Sequence, residues 1–362
     1  MPEGKQEMTA ERNHERDRPT RDIGPQWLQF QSAHAAHGYQ PVCGGGRAAN
    51  DDEPAELSYQ DSHVGKASGS NEQGDGTRSG SPRRIIICAD DFGMNTAIDE
   101  GILALARKRR LSAVGCMTHA PAFQQDARRL AQLDVDAGVH LNFTEALGQP
   151  GLYLPLSQLI ARSYARTLDV PRLARQIERQ LDAFEAAMGR RPDFIDGHQH
   201  VHQLPQIRDA LLQTIARRYG ADAPWVRCSA PGRQAGLPAA LRWKARVIGA
   251  LGAYRFGRAA AAAGLRTNRR LLGVYDFQGG SAAYAALVPL WLENMRDGDL
   301  LMCHPAMPYP GDTDMAAQRG AEFQVLNDAG FAEALLRKGL RVARMLPGDD
   351  QASMTLRVKA SR

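Results

Sequence analysis

Eight short apolar runs follow one another after Pro82, and helix-like stretches separate most of them. The runs lie at 85–91, 112–119, 137–143, 193–200, 225–231, 272–278, 300–305 and 340–346. Stretches with helical periodicity fall between them at 96–110, 124–133, 171–189, 205–220, 283–295 and 327–339. No feature of the chain constrains its fold more than this alternation. Two strands joined by a helix pair in parallel, and a succession of such units builds an α/β sheet covered by helices. Eight candidate strands predict an irregular, TIM-like (β/α) barrel rather than an open doubly wound sheet. The first strand is not followed by Gly-x-Gly-x-x-Gly, which weakens a dinucleotide-binding reading.

The chain has 362 residues, 43% of them hydrophobic, with a formal net charge of +5. That mild balance gives no argument for a nucleic-acid partner. No apolar run approaches the roughly 18 residues of a spanning helix. The first twenty residues lack the apolar core of a signal peptide. Cys43, Cys88, Cys116, Cys228 and Cys303 are odd in number and lack metal-ligand spacing, which predicts a reducing, cytoplasmic setting. Residues 1–82, including KASGSNEQGDGTRSGSP, hold too few apolar groups to offset chain entropy and predict a disordered extension. WLQF at 27–30 suggests at most a short local turn there. The catalytic unit is expected over 83–350, with a flexible tail at 351–362.

Polar residues gather where the apolar runs stop. Asp90 and Asp91 close the first run and His140 falls late in the third. His198, His200 and His202 end the fourth, and His304 ends the seventh. The C-terminal strand ends of a parallel barrel form one mouth, so residues far apart in sequence converge there. Asp91, His140 and His198 offer a carboxylate and two imidazoles, a donor set suited to a divalent ion. Asp90 beside them is a candidate general base and His304 a candidate acid. Asp196 is placed to hold a ligand imidazole in one tautomer. His200, His202, Arg227 and Glu145 are candidates for substrate contact or for orienting the ligands. Plainer roles exist for each: Asp90 and Asp91 suit a helix N-cap, His140 a hydrogen-bonded core position, and His304 a simple strand end.

Taken together, IIICADDFGMN, GVHLNFTEALGQP, FIDGHQHVHQLPQI and LLMCHPA resemble the YdjC family of carbohydrate deacetylases, also called ChbG/HpnK, from about residue 83 to 346. The resemblance implies a (β/α) barrel, one divalent metal (Mg²⁺ or Zn²⁺, with Mn²⁺ or Co²⁺ as alternatives), and hydrolysis of an N-acetyl group on an amino sugar. It implies Asp91, His140 and His198 as metal ligands, Asp90 as base and His304 as acid, and often a homodimer. Two parts depart from the family pattern. One is the long N-terminal extension. The other is the stretch from Ala223 to Tyr275, which holds ten Arg or Lys and no Asp or Glu. Its segment LRWKARVIGALGAYRFGRAAAAAG reads as a basic helical excursion, ordinarily a solvated face but here suited to a membrane surface or a lipid-linked substrate. Two rival readings are another metal hydrolase such as a phosphoesterase, and a non-catalytic barrel that binds sugar or lipid.

Overall fold

The computed structural model describes residues 81–308 and 314–345. The expected extension and tail therefore lie almost wholly outside the described residues, as does WLQF. The first half runs β1 (Arg83–Phe92), α1 (Thr96–Arg107), β2 (Ala113–Cys116), α2 (Phe123–Ala131), β3 (Asp136–Leu141), α3 (Leu156–Tyr164), α4 (Val170–Met188) and β4 (Phe194–Gly197). After a 3-10 turn come α5 (Pro205–Tyr219), β5 (Trp225–Val226), α6 (Ala239–Ile248), a π turn (Gly249–Ala253) and α7 (Tyr254–Ala262). The chain finishes with β6 (Leu271–Leu272), α8 (Gly280–Asn294), β7 (Leu300–Cys303), α9 (Asp314–Asn327), α10 (Ala329–Arg337) and β8 (Leu340–Val342).

All pairings are parallel, in the order β5-β4-β3-β2-β1-β7-β6. The sheet curls, and its two ends meet through single bridges, Val226 with Thr267 and Pro231 with Leu271. A regular eight-stave barrel would seat the last strand between β7 and β1. Here β7 pairs β1 directly, and β8 pairs only its foot, Arg83–Ile85.

Strand alternation sorts side chains onto two faces. Ile85, Ile87 and Ala89 of β1 join the large core shared with the helices, whereas Ile86 and Cys88 join a smaller interior cluster with Phe194, Trp225 and Leu300. Helix α4 shows how the outer layer is fixed. Asp169 caps its first turn, Gly189 ends it in the left-handed region, and Leu173, Ile177, Leu181 and Phe184 are buried along one stripe. Each such side chain contributes about 1.5–3 kcal/mol of burial.

Every expected strand but the first stops before its apolar run does. The run at 193–200 is a strand only to Gly197, that at 225–231 only to Val226, and that at 272–278 only to Leu272. The excursion at 239–262 is helical, bent at Gly252 (φ +130°), where a Cβ would lie 2.3 Å from the Gln203 carbonyl. Among the described residues no helix is long and apolar enough to cross a membrane.

Candidate metal centre and acid–base site

Register brings the sequence candidates together. The interior column of β1 runs Ile86, Cys88, Asp90, and on β3 the interior position opposite Asp196 of β4 is His140. One step beyond their ladders, Arg227 follows β5 and His304 follows β7 on the same interior face. Alternation would send Asp91 to the other face. A β-bulge prevents this: between Ala89 and Phe92 three steps of β1 match only two of β2, from Val114 to Cys116. Asp91 takes φ +71° within it, and both acids turn to the same mouth. Neither caps a helix, because Asn95 caps α1, its Oδ1 accepting from Ile98 N at 3.0 Å. Gly115 of β2 leaves room for the pair: a Cβ there would sit 3.2 Å from Asp90 Oδ1 and 3.2 Å from His140 Nδ1.

The DGHQH segment does not continue as a strand. After Gly197 the chain folds into a 3-10 turn, His198–Gln203, with Gln199 (φ 55°) and His200 (φ 60°) both left-handed. Residues held there cost about 1–3 kcal/mol each, which surrounding contacts must offset. The three histidines consequently point to three partners. His198 Nδ1 lies 2.9 Å from Asp91 Oδ1, His200 Nδ1 3.1 Å from Ser229 Oγ, and His202 Nε2 3.0 Å from the Arg227 carbonyl. His202 is fully buried with its ring edge-on to Phe256, which removes it from substrate contact.

Asp91 Oδ1 also lies 3.6 Å from His140 Nε2, and its other oxygen is taken by Arg319 of α9. Asp196 Oδ1 sits 2.7 Å from His140 Nδ1, which places a proton on that nitrogen and leaves Nε2 facing Asp91. Arg227 is fully buried and spans two acids. Its Nη1 and Nη2 each lie 2.6 Å from an Asp90 oxygen, and its Nε lies 2.7 Å from Asp196 Oδ2. Burial would raise the carboxyls of Asp90 and Asp196, but the guanidinium and His140 outweigh it and hold both below the ordinary range. Asp91 is lowered further by Arg319 and His198 against the same burial. Glu145, on the loop after β3, is raised by burial, with His198 opposing and Asp91 reinforcing.

Two donor groups of metal-binding geometry share His140: Asp91, His140 and His198, and Asp90, His140 and Asp196. The second is filled by Arg227, whose positive charge would repel an ion. The first fits a divalent ion on its own chemistry, two imidazoles and one carboxylate whose donor atoms lie within 4.8 Å of one another. Burial alone would lower the His140 pKa, yet Asp196, Asp90 and Asp91 push it up to about 9. A field that retains a proton so firmly also favours a cation.

His304 faces this group from β7, with Nε2 3.9 Å from Asp90 Oδ2. Burial dominates its titration and pushes it down to about 4, so the resting imidazole is neutral. Sequence reasoning missed the residues behind it. Glu322 of α9 accepts from His304 N at 2.6 Å and from the Tyr275 hydroxyl at 2.5 Å, and burial pushes its carboxyl up to about 7. Arg319 and Glu322 stand three residues apart on α9, a helix absent from the sequence reading.

Comparisons with known proteins agree with this architecture. A family model described as YdjC-like protein matches residues 84–337. A human carbohydrate deacetylase is 28% identical over 150 residues, covering 38% of this chain and 46% of that protein. A chitooligosaccharide deacetylase of Yersinia pestis is 33% identical over 143 residues, covering 37% of this chain and 55% of that protein. The chain thus spans about half the length of the curated relatives it matches. A crystal structure of a candidate cellobiose-phosphate cleavage protein from Enterococcus faecalis superposes with a TM-score of 0.51 at 22% identity, over 73% of this chain and 98% of that one, which establishes the shared fold.

Proposed function

Because the chain belongs to the YdjC-like family, we propose that it is a metal-dependent hydrolase that removes the N-acetyl group from an amino sugar. The observation that carries this reading is the convergence of Asp91, His140 and His198 beside the Asp90–His304 pair. The named activities of the curated relatives support it. The donor set suits Zn²⁺, while Mg²⁺, Mn²⁺ and Co²⁺ are the other candidates. When bound, such an ion supplies Lewis acidity toward an amide carbonyl and toward water.

The chain's own residues move the protons. Asp90, kept ionised by Arg227, accepts a proton from the attacking water. The carbonyl carbon gains the hydroxyl oxygen, the C–N bond breaks, and the amine nitrogen takes a proton from His304. Because the resting imidazole is neutral, that proton is one the reaction itself releases, and Asp90 Oδ2 at 3.9 Å is its nearest source. Asp196 and Arg227 orient His140 and Asp90. His200 and His202 hold the turn that carries His198. Glu145 borders the mouth as a candidate substrate contact. A phosphoesterase of the two-metal kind needs a second set of ligands, and Arg227 occupies the only other donor group among the described residues.

Acetate release across a panel of N-acetylated amino sugars, free, oligomeric and lipid-linked, tests the reading. At least one class should release acetate stoichiometrically with free amine. Phosphate release from phosphorylated sugars without acetate release would favour the phosphoesterase.

The catalytic unit is proposed to span 83–350, in a cytoplasmic setting to which the four free, buried cysteines among the described residues are suited. A homodimer is the assembly the resemblance implies. The excursion carries exposed Trp243 (65%) and Tyr254 (50%) beside exposed Arg246, Arg255 and Arg258. Between it and the His198–Gln203 turn lies a cleft where apolar Leu156, Ile160, Ile248 and Leu251 line the wall together with polar Gln199, His200, Gln203 and Lys244. These features support peripheral contact with an anionic membrane or a lipid-linked substrate. Basic residues near such a surface contribute about 1 kcal/mol each. The protein should therefore sediment with phosphatidylglycerol vesicles and not with phosphatidylcholine ones, and Trp243→Ala with Arg246→Glu should abolish this. Equal binding to both vesicle types would rule the contact out.

A further inference from the structure

An acid–base histidine is ordinarily oriented by a hydrogen bond at the ring nitrogen that does not react. His304 lacks one: among the described residues its buried Nδ1 finds no hydrogen-bond partner. Its direction must come from what surrounds it. Phe277 packs edge-on against the imidazole, centroids 4.9 Å apart at 67°. Tyr275 stacks on Phe277 at 4.6 Å and 28°. The Tyr275 hydroxyl donates to Glu322 Oε1, while Glu322 Oε2 accepts from the His304 main-chain N–H. The contacts close a ring, from Glu322 through Tyr275 and Phe277 to the imidazole and back through the His304 backbone. Phe277 holds a left-handed backbone (φ 61°), a conformation that persists only where neighbours over-determine it. Lys244 adds to this, with Nζ donating to the Tyr275 carbonyl at 2.7 Å and lying 5.8 Å over the Phe277 ring. Farther along, Ala306 N donates to the Arg319 carbonyl, so the strap after His304 is also tied to α9.

We propose that Glu322 is a positioning residue for His304, fixing the imidazole toward Asp90 through the His304 main chain and through the Tyr275–Phe277 stack. The inference rests on the reading of His304 as proton donor given above. Glutamine at 322 keeps the shape, an acceptor for His304 N–H and a donor for the Tyr275 oxygen. Leucine keeps only bulk.

The test compares Glu322→Leu, Glu322→Gln and the milder Tyr275→Phe with His304→Ala, each measured for kcat, KM and metal content. Glu322→Leu should lower kcat by about 10²-fold, the effect of a misplaced reacting group. Its KM and metal content should stay at wild-type levels, and Glu322→Gln should remain close to wild type. In the His304→Ala background Glu322→Leu should cost nothing further, since its effect runs through that ring. Losses that multiply, or a Glu322→Leu variant with wild-type kcat, would overturn the proposal while leaving His304 as donor. Wild-type turnover in His304→Ala would instead overturn the reading on which it rests. Histidine-selective NMR reads the same geometry without turnover. The His304 ring signal, assigned by its loss in His304→Ala, should shift in Glu322→Leu and in Tyr275→Phe but not in Glu322→Gln. An unmoved signal in both would reject the positioning role even if a variant folds poorly or substrate is lacking.

Discussion

Asp90→Asn is expected to keep its metal and to lose about 10²–10⁴-fold in kcat, the usual worth of a positioned proton acceptor. Asparagine preserves the shape and one acceptor oxygen but not the basic carboxylate. Its neighbour should fail differently, since Asp91 belongs to the donor group proposed to hold the ion, whereas Asp90 belongs only to the group that Arg227 fills. Folding should survive, because Arg227 retains Asp196 as an ionic partner. A helix-capping role would make the change nearly neutral, yet the cap of α1 is Asn95. If Asp90→Asn holds its metal and turns over near the wild-type rate, the base must be sought among His200, His202 and His304. His200 and His202 are already engaged with Ser229 Oγ and the Arg227 carbonyl.

Arg227→Met should produce the largest loss of stability of any single substitution at the mouth. It strips the counter-charge from Asp90 and Asp196, which are 1% and 0% exposed. Breaking a buried ion pair from one side costs about 3–5 kcal/mol. At roughly 2–4 °C per kcal/mol for a unit of this size, Tm should fall by about 10 °C. The pH dependence should change as well. In the native protein both carboxyls lie below their ordinary value, so their contribution is complete at neutral pH and is lost only as pH falls through their depressed pKa values. Without Arg227, burial raises those pKa values. The variant's deficit should then shrink on acidification toward pH 5, as the buried acids take up protons. A Tm within 2 °C of wild type at pH 7 would show that the pair contributes little. Arg227→Lys should fall between, since one ammonium cannot span two carboxylates as the guanidinium fork does.

The parts of this site written in local pattern were legible. The IIICA run ends in two acids, and His140, His198 and His304 each fall at or just after a strand end, so barrel order alone brought them to one mouth. What depended on pairing was not. The bulge that turns Asp90 and Asp91 to the same side exists only against β2. HQH has the alternation of a strand, but left-handed Gln199 and His200 end it, and local sequence gives no cue for two such residues in succession. The apolar runs after Val226 and Leu272 looked like strands because buried irregular segments are apolar as well. Arg319 and Glu322 were invisible for the opposite reason. AAQRGAEFQ reads as a polar stretch, whereas α9 inserts both charges into the core, against Asp91 and His304. The placement of β8 at the foot of β1 follows from β7 closing directly on β1, a choice made by the whole sheet.

Hydrolysis of the N-acetyl group is expected to require one divalent ion at Asp91, His140 and His198. Chelated protein refilled stepwise with Zn²⁺ or Mn²⁺, with bound metal and acetate release followed together, tests it most directly. The chelated protein should release no acetate, activity should return in proportion to bound ion and saturate at one per chain, and His198→Ala should show neither binding nor release. Acetate release that survives complete removal of the ion, or that rises until two ions per chain are bound, would contradict that requirement.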